Sequence, residues 1–131
     1  MVNLANSKED YIKYLEDYNL KDKYINELYK NDSIVFLSCT TDYANDEYKG
    51  KIVNGFKAII ENKGPFYIHC LEGTDRTGFV CLLLECLADF SLEELEKDYM
   101  ATTLTILVYL KEIMKDIKLL KNYILMHLLS T

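Results

Sequence analysis

The feature that most constrains this chain is an apolar run, Phe66-Tyr67-Ile68-His69, that leads through a glycine-containing loop into an apolar helical stretch from about 77 to 89. Lys63-Gly64-Pro65 precedes the run and Gly73 and Gly78 punctuate the loop. A short β-branched and aromatic run bounded by such residues reads as a buried strand. A second run of this kind, Ser33-Ile34-Val35-Phe36-Leu37-Ser38, lies upstream, and a helix is expected between the two. Asn45 can cap that helix, which should run to about Asn62 with Tyr48, Ile52, Phe56, Ile59 and Ile60 on one side. Strand, helix, strand is a right-handed βαβ crossover, so the two strands should be parallel. The loop after the second strand then falls at the carboxyl end of the sheet, where ligands bind in open α/β folds.

The remaining segments add helices around this unit. Ser7-x-x-Asp10 resembles a capping box ahead of Tyr11, Leu15 and Tyr18, which predicts a helix starting near Lys8, and another is expected over 22–29. Ser91-x-x-Glu94 repeats the capping pattern for a helix over 92–99. A third strand is expected around 1–4. From 104 to 129 there is neither Gly nor Pro, and apolar residues at 106, 110, 113, 117, 120 and 124 alternate steps of four and three. This predicts a C-terminal amphipathic helix that packs on its own domain, with self-association into a homodimer as the alternative. His127 lies in that helix and reads as a helix-surface or seam residue. The Tyr-rich N-terminus (Tyr11, Tyr14, Tyr18, Tyr24, Tyr29) reads as helix packing.

With 131 residues there is room for one domain, 1–131. Fifteen Lys and Arg against 21 Asp and Glu give a formal charge of −6, which argues against nucleic acid or anionic lipid as a non-specific partner. The four cysteines, at 39, 70, 81 and 86, have no Cys-x-x-Cys spacing. Neither a metal site nor a disulfide scaffold is signalled, and free thiols fit a cytoplasmic setting. Cys39, Cys81 and Cys86 read as buried apolar residues. No stretch is long and apolar enough for a membrane span, and no signal peptide is read.

The loop itself reads His69-Cys70-Leu71-Glu72-Gly73-Thr74-Asp75-Arg76-Thr77-Gly78. Five residues between Cys70 and Arg76 suffice to curl successive backbone N–H groups toward one centre, an anion nest. The helix that follows adds its positive N-terminal end, and the Arg76 guanidinium can clasp two oxygens of a tetrahedral dianion. In that field Cys70 should ionise readily, and a thiolate beneath a bound phosphate is a nucleophile.

At this point the chain resembles the cysteine-dependent protein tyrosine phosphatase superfamily, in particular the bacterial tyrosine/lipid phosphatase-like group whose loop carries Asp just before Arg. The resemblance implies a three-layer α/β/α domain with a small, mostly parallel sheet. It implies hydrolysis of phosphate monoesters through a phosphocysteine, with no metal or other cofactor. Cys70 would be the nucleophile and Arg76 the phosphate clamp. Thr77 would assist breakdown of the phosphocysteine and His69 would orient the loop, while Leu71, Glu72, Gly73, Thr74, Asp75 and Arg76 would surround the phosphate. Gly73 and Gly78 would serve the backbone shape. The general acid stays open between Asp42, on the loop after the first strand, and Asp75, in the phosphate loop, with Asp46 a third candidate. Helix capping and first-turn charge are the alternative reading of Asp42 and Asp46, and a loop-closing hydrogen bond that of Asp75.

Two departures shape the substrate expectation. Related loops often carry Lys where this one has Thr74, and Glu72 and Asp75 oppose the single charge of Arg76, so a multiply phosphorylated inositol ring would meet repulsion. A phosphotyrosine-bearing protein is therefore expected ahead of a phosphoinositide or inositol phosphate. The sheet also has fewer strands than the four or five the resemblance implies, as though the chain were truncated. An inactive phosphate-binding domain that self-associates is the alternative of another class. Arsenate reduction or sulfur transfer is a third, with Cys81 and Cys86 the only nearby resolving thiols.

Overall fold

A computed structural model of the chain describes residues 1–17, 21–102 and 107–130. Three two-residue strands, β1 (Val2–Asn3), β2 (Val35–Phe36) and β3 (Ile68–His69), form a wholly parallel sheet in the order β2-β1-β3. The strand expected at 1–4 is therefore the central one, and it separates the two runs that a simple crossover would have placed side by side. Val2 aligns with Val35 and Ile68, and Asn3 with Phe36 and His69.

The paired strands are shorter than the apolar runs that contain them, and Asn3 supplies the reason. Fully buried, it accepts through Oδ1 from the N–H groups of Ala5 (2.9 Å) and Asn6 (3.1 Å), and this turn diverts the central chain. Beyond it only isolated bonds extend the ladder, such as Leu4 N–H to His69 O (2.8 Å) and Cys39 N–H to Leu4 O (2.7 Å).

Local signals place the helices. α1 (Lys8–Asp17) opens on Ser7, whose hydroxyl accepts from Asp10 N–H (3.1 Å) and donates to Asp10 Oδ2 (2.8 Å). α2 (Lys23–Lys30) opens on Asp22, which accepts from Ile25 N–H (2.8 Å). α3 (Asp46–Glu61) opens on Asn45, which accepts from Glu47 N–H (2.7 Å). α5 (Leu92–Thr102) opens on the Ser91–Glu94 box. It extends three residues past the expected end.

One of the two remaining helices, α4, departs from the expectation and the other, α6, follows it. α4 (Asp75–Leu87) begins two residues earlier than the sequence predicts, so Asp75 and Arg76 lie in its first turn instead of in the preceding loop. α6 (Leu107–Leu129) is the expected C-terminal helix; the part of that stretch at 104–106 lies outside the described residues, as do the side chains at 110 and 113. The described half of its seam, Ile117, Leu120 and Ile124, is buried in the main core, against α3 and α4. Lys121 ties it to the end of α4, donating to Cys86 O at 2.7 Å and pairing with Asp89 at 3.1 Å.

The alternation along the strands separates two helix layers. Val2, Leu4, Val35, Leu37 and Ile68 face the core formed with α3, α4, α5 and α6. Phe36 points to the opposite face and packs on Tyr11 of α1 (5.2 Å between ring centroids), which also meets Tyr29 of α2 (6.4 Å). The result is the expected three-layer α/β/α arrangement. No helix among the described residues is long and apolar enough to cross a membrane.

Candidate active site

β3 delivers Cys70 to the carboxyl end of the sheet, and the 71–74 bends carry the chain into α4. Gly73 has φ +76°, a left-handed conformation that a side chain would strain, and this turns its N–H back onto Cys70 Sγ at 3.3 Å. Thr74 occupies the N-cap of α4 without a side-chain cap bond, so its hydroxyl does not consume the first-turn N–H donors. Gly78 permits close packing of α5, because a β-carbon there would sit 3.2 Å from the Tyr99 ring.

These donors act on the thiol. Burial pulls the pKa of Cys70 up, but the Thr77 hydroxyl and the backbone N–H groups of Thr77, Gly73 and Glu72 outweigh it and bring the value down to about 7. Thr77 Oγ1 is buried and has no hydrogen bond of good geometry in the resting structure, so its effect on the sulfur is one of proximity. Cys39 behaves oppositely. Burial pushes it up to about 11 despite Lys51 and Arg76 nearby, and burial also raises Cys81, with Glu85 and Asp98 adding to the shift. Cys81 and Cys86 are half-buried, a correction to the fully buried expectation, whereas Cys39 is buried. Thiolate reactivity should therefore be selective. Iodoacetamide labelling of Cys70 is expected to rise with pH and reach half its maximum near pH 7, with Cys39 unlabelled. A midpoint near 9, read by peptide mass spectrometry, would show that the loop does not activate the thiol.

Arg76 joins two loops. Its Nη1 donates to Cys39 O at 3.1 Å, across 37 positions of sequence, which fixes the start of α4 against the segment that follows β2. That segment leaves the sheet through Ser38, whose φ of +47° is uncommon for a residue with a side chain, and Lys51 Nζ holds the Ser38 carbonyl at 2.8 Å. Neither Cys39 O nor Lys51 was legible as a partner, since nothing local marks them.

The carboxylate candidates fall in different places. Asp42 is exposed on the segment after β2, beside a groove of about 300 Å³ also lined by Thr40, Thr41, Asn45, Tyr48 and Lys51. Its carbonyl accepts from Asn45 N–H (3.2 Å). Asp46 pairs with Lys49 at 3.0 Å in the first turn of α3, in keeping with the capping alternative. Asp75 is exposed in the first turn of α4. His69 Nδ1 lies 3.2 Å from Cys70 O, while its Nε2 is buried without a partner. Beneath the loops Tyr43 stacks on Phe79 (3.7 Å, 3°) with Tyr48 edge-on to both (5.3 and 6.0 Å), a floor that the periodicity of the sequence did not reveal.

The site thus sets an ionisable thiol, backbone N–H groups and an arginine together at the start of a helix in a parallel α/β domain, an arrangement whose positive end suits an anion. The family model described as "Tyrosine phosphatase family" matches residues 6–130, and the chain belongs to that family. Phosphatase chemistry and a phosphorylated substrate follow at that level of description. No curated protein and no solved structure matches the chain.

Proposed function

We propose that this chain is a metal-independent protein tyrosine phosphatase that works through a phosphocysteine, with 1–131 acting as one domain. One observation carries the reading: a thiol brought to about 7 by its loop stands one loop length from an arginine in the first turn of α4. In the reaction the Cys70 thiolate attacks phosphorus, and the ester oxygen leaves with the bonding electron pair and a proton from an aspartic acid. Leu71, Glu72, Gly73, Thr74 and Asp75 contribute backbone to the cradle, and the guanidinium of Arg76 balances the charge that builds on the equatorial oxygens. Water then attacks phosphocysteine, giving up its proton to the same aspartate as the S–P bond breaks. The Thr77 hydroxyl eases departure of the sulfur by stabilising the returning thiolate, and His69 holds the Cys70 carbonyl.

Asp42 is the favoured acid, because the Arg76–Cys39 bond holds its segment against the loop; Asp75 is the competitor. The test is hydrolysis of aryl phosphates in EDTA by the purified chain, Asp42→Asn and Asp75→Asn. The wild-type chain is expected to turn over, and Asp42→Asn to lose roughly 10²- to 10⁴-fold with phenyl phosphate. That loss should shrink with 4-nitrophenyl phosphate, whose leaving group needs less protonation. The larger loss in Asp75→Asn would transfer the role. No turnover by the wild-type chain would defeat the reading and favour an idle phosphate-binding domain.

A further inference from the structure

The side chains that the loop turns outward do not match what a phosphate dianion needs, and the mismatch identifies what else the substrate must bring. Immediately after the nucleophile, Leu71 is 80% exposed, so an apolar side chain stands at the mouth. Glu72 and Asp75 follow, both exposed, and neither has an ion-pair partner among the described residues. The loop's one cation, Arg76, is partly engaged inward by Cys39 O. The two lysines in the first turns of the neighbouring α3 are also committed, Lys49 to Asp46 (3.0 Å) and Lys51 to Glu47 (2.9 Å) and Ser38 O (2.8 Å). The mouth is therefore an apolar lip followed by uncompensated negative charge. A dianion alone is repelled by that rim, and a substrate that carries its own cations beside the phosphate turns the repulsion into attraction.

We infer that the loop selects phosphotyrosyl segments with Lys or Arg adjoining the phosphorylated residue, the ring resting on Leu71 and the basic side chain meeting Glu72. This deepens the phosphatase reading above and rests on it. An acidic flank would add to the repulsion, and a phosphoserine segment would leave Leu71 uncovered.

The test uses full-length Cys70→Ser as a non-turning-over binder, with calorimetric titration of two phosphotyrosyl peptides that differ only in Arg or Glu on both sides of the phosphorylated residue. The Arg peptide is expected to bind roughly three- to tenfold tighter at low salt, the range of one or two exposed charge pairs, and the difference should narrow as salt rises. Introducing Glu72→Lys should invert the order, and Glu72→Gln, which keeps size and polarity, should reduce it. A phosphoserine peptide with the same Arg flanks should bind more weakly, by a margin that Leu71→Ser reduces.

Equal affinities, tighter binding of the Glu peptide, or binding of neither would overturn the inference. Aryl phosphate turnover by the wild-type chain, measured in parallel, separates the two claims. Turnover with equal peptide affinities leaves the phosphatase reading standing and removes the inference. Absent turnover removes that reading, while the peptide ranking still decides what the mouth selects.

Discussion

Replacing Cys70 by serine is expected to lower aryl phosphate turnover by at least about 10⁴-fold while leaving inorganic phosphate bound within a few-fold of its wild-type affinity. The two halves of the expectation come from different atoms. Binding depends on backbone N–H groups, the start of α4 and the Arg76 guanidinium, none of which the substitution removes. In the proposed reaction turnover depends on a sulfur that ionises near neutrality, with Gly73 N–H 3.3 Å away and its pKa brought to about 7. A serine hydroxyl begins far higher, and the same donors cannot make an alkoxide of it. The pH dependence follows with its sign: the loop lowers the thiol's pKa, so activity through Cys70 should fall as pH drops below about 7, where the thiolate is protonated. Activity within tenfold of wild type in Cys70→Ser would mean that phosphorus is attacked by something other than this sulfur. Loss of phosphate affinity together with turnover would instead mean that the substitution collapses the loop.

What could be read from the sequence was mostly local. The Ser7–Asp10 and Ser91–Glu94 boxes and the Asn45 cap involve residues two or three apart, so the helix starts they set were legible without the rest of the chain. The loop was legible for the same reason, its residues being consecutive between an apolar strand and an apolar helix. The start of α4 was misplaced because Gly73, in its left-handed conformation, turns the chain early enough for Asp75 to enter the helix, and φ is not written in residue types alone. Non-local features were out of reach. Two residues of β1 lie between β2 and β3 through bonds spanning more than 30 positions. The Arg76–Cys39 contact is of the same kind, and it brings the segment bearing Asp42 to the loop bearing Cys70.

The aromatic floor beneath that junction should be a sensitive point for stability. Phe79 is fully buried, stacks at 3.7 Å on Tyr43 and is met edge-on by Tyr48, whose phenol pKa burial pushes up. Truncation to alanine removes the ring and leaves a cavity between α4 and the segment after β2, because the neighbours are themselves rigid rings that cannot collapse into it. Phe79→Ala is expected to cost about 3–5 kcal/mol in denaturant unfolding, a large fraction of the ~5–15 kcal/mol that holds a typical domain together. Phe79→Leu keeps much of the volume and should cost less, while still losing the stack. Since Tyr43 directly follows Asp42, the damage should also reach the chemistry. In Phe79→Leu, turnover with phenyl phosphate should fall more than turnover with 4-nitrophenyl phosphate, the signature of a displaced acid. A loss below about 1 kcal/mol in Phe79→Ala would show that the stack is not part of the core. Equal losses with both substrates in Phe79→Leu would separate the floor from the acid.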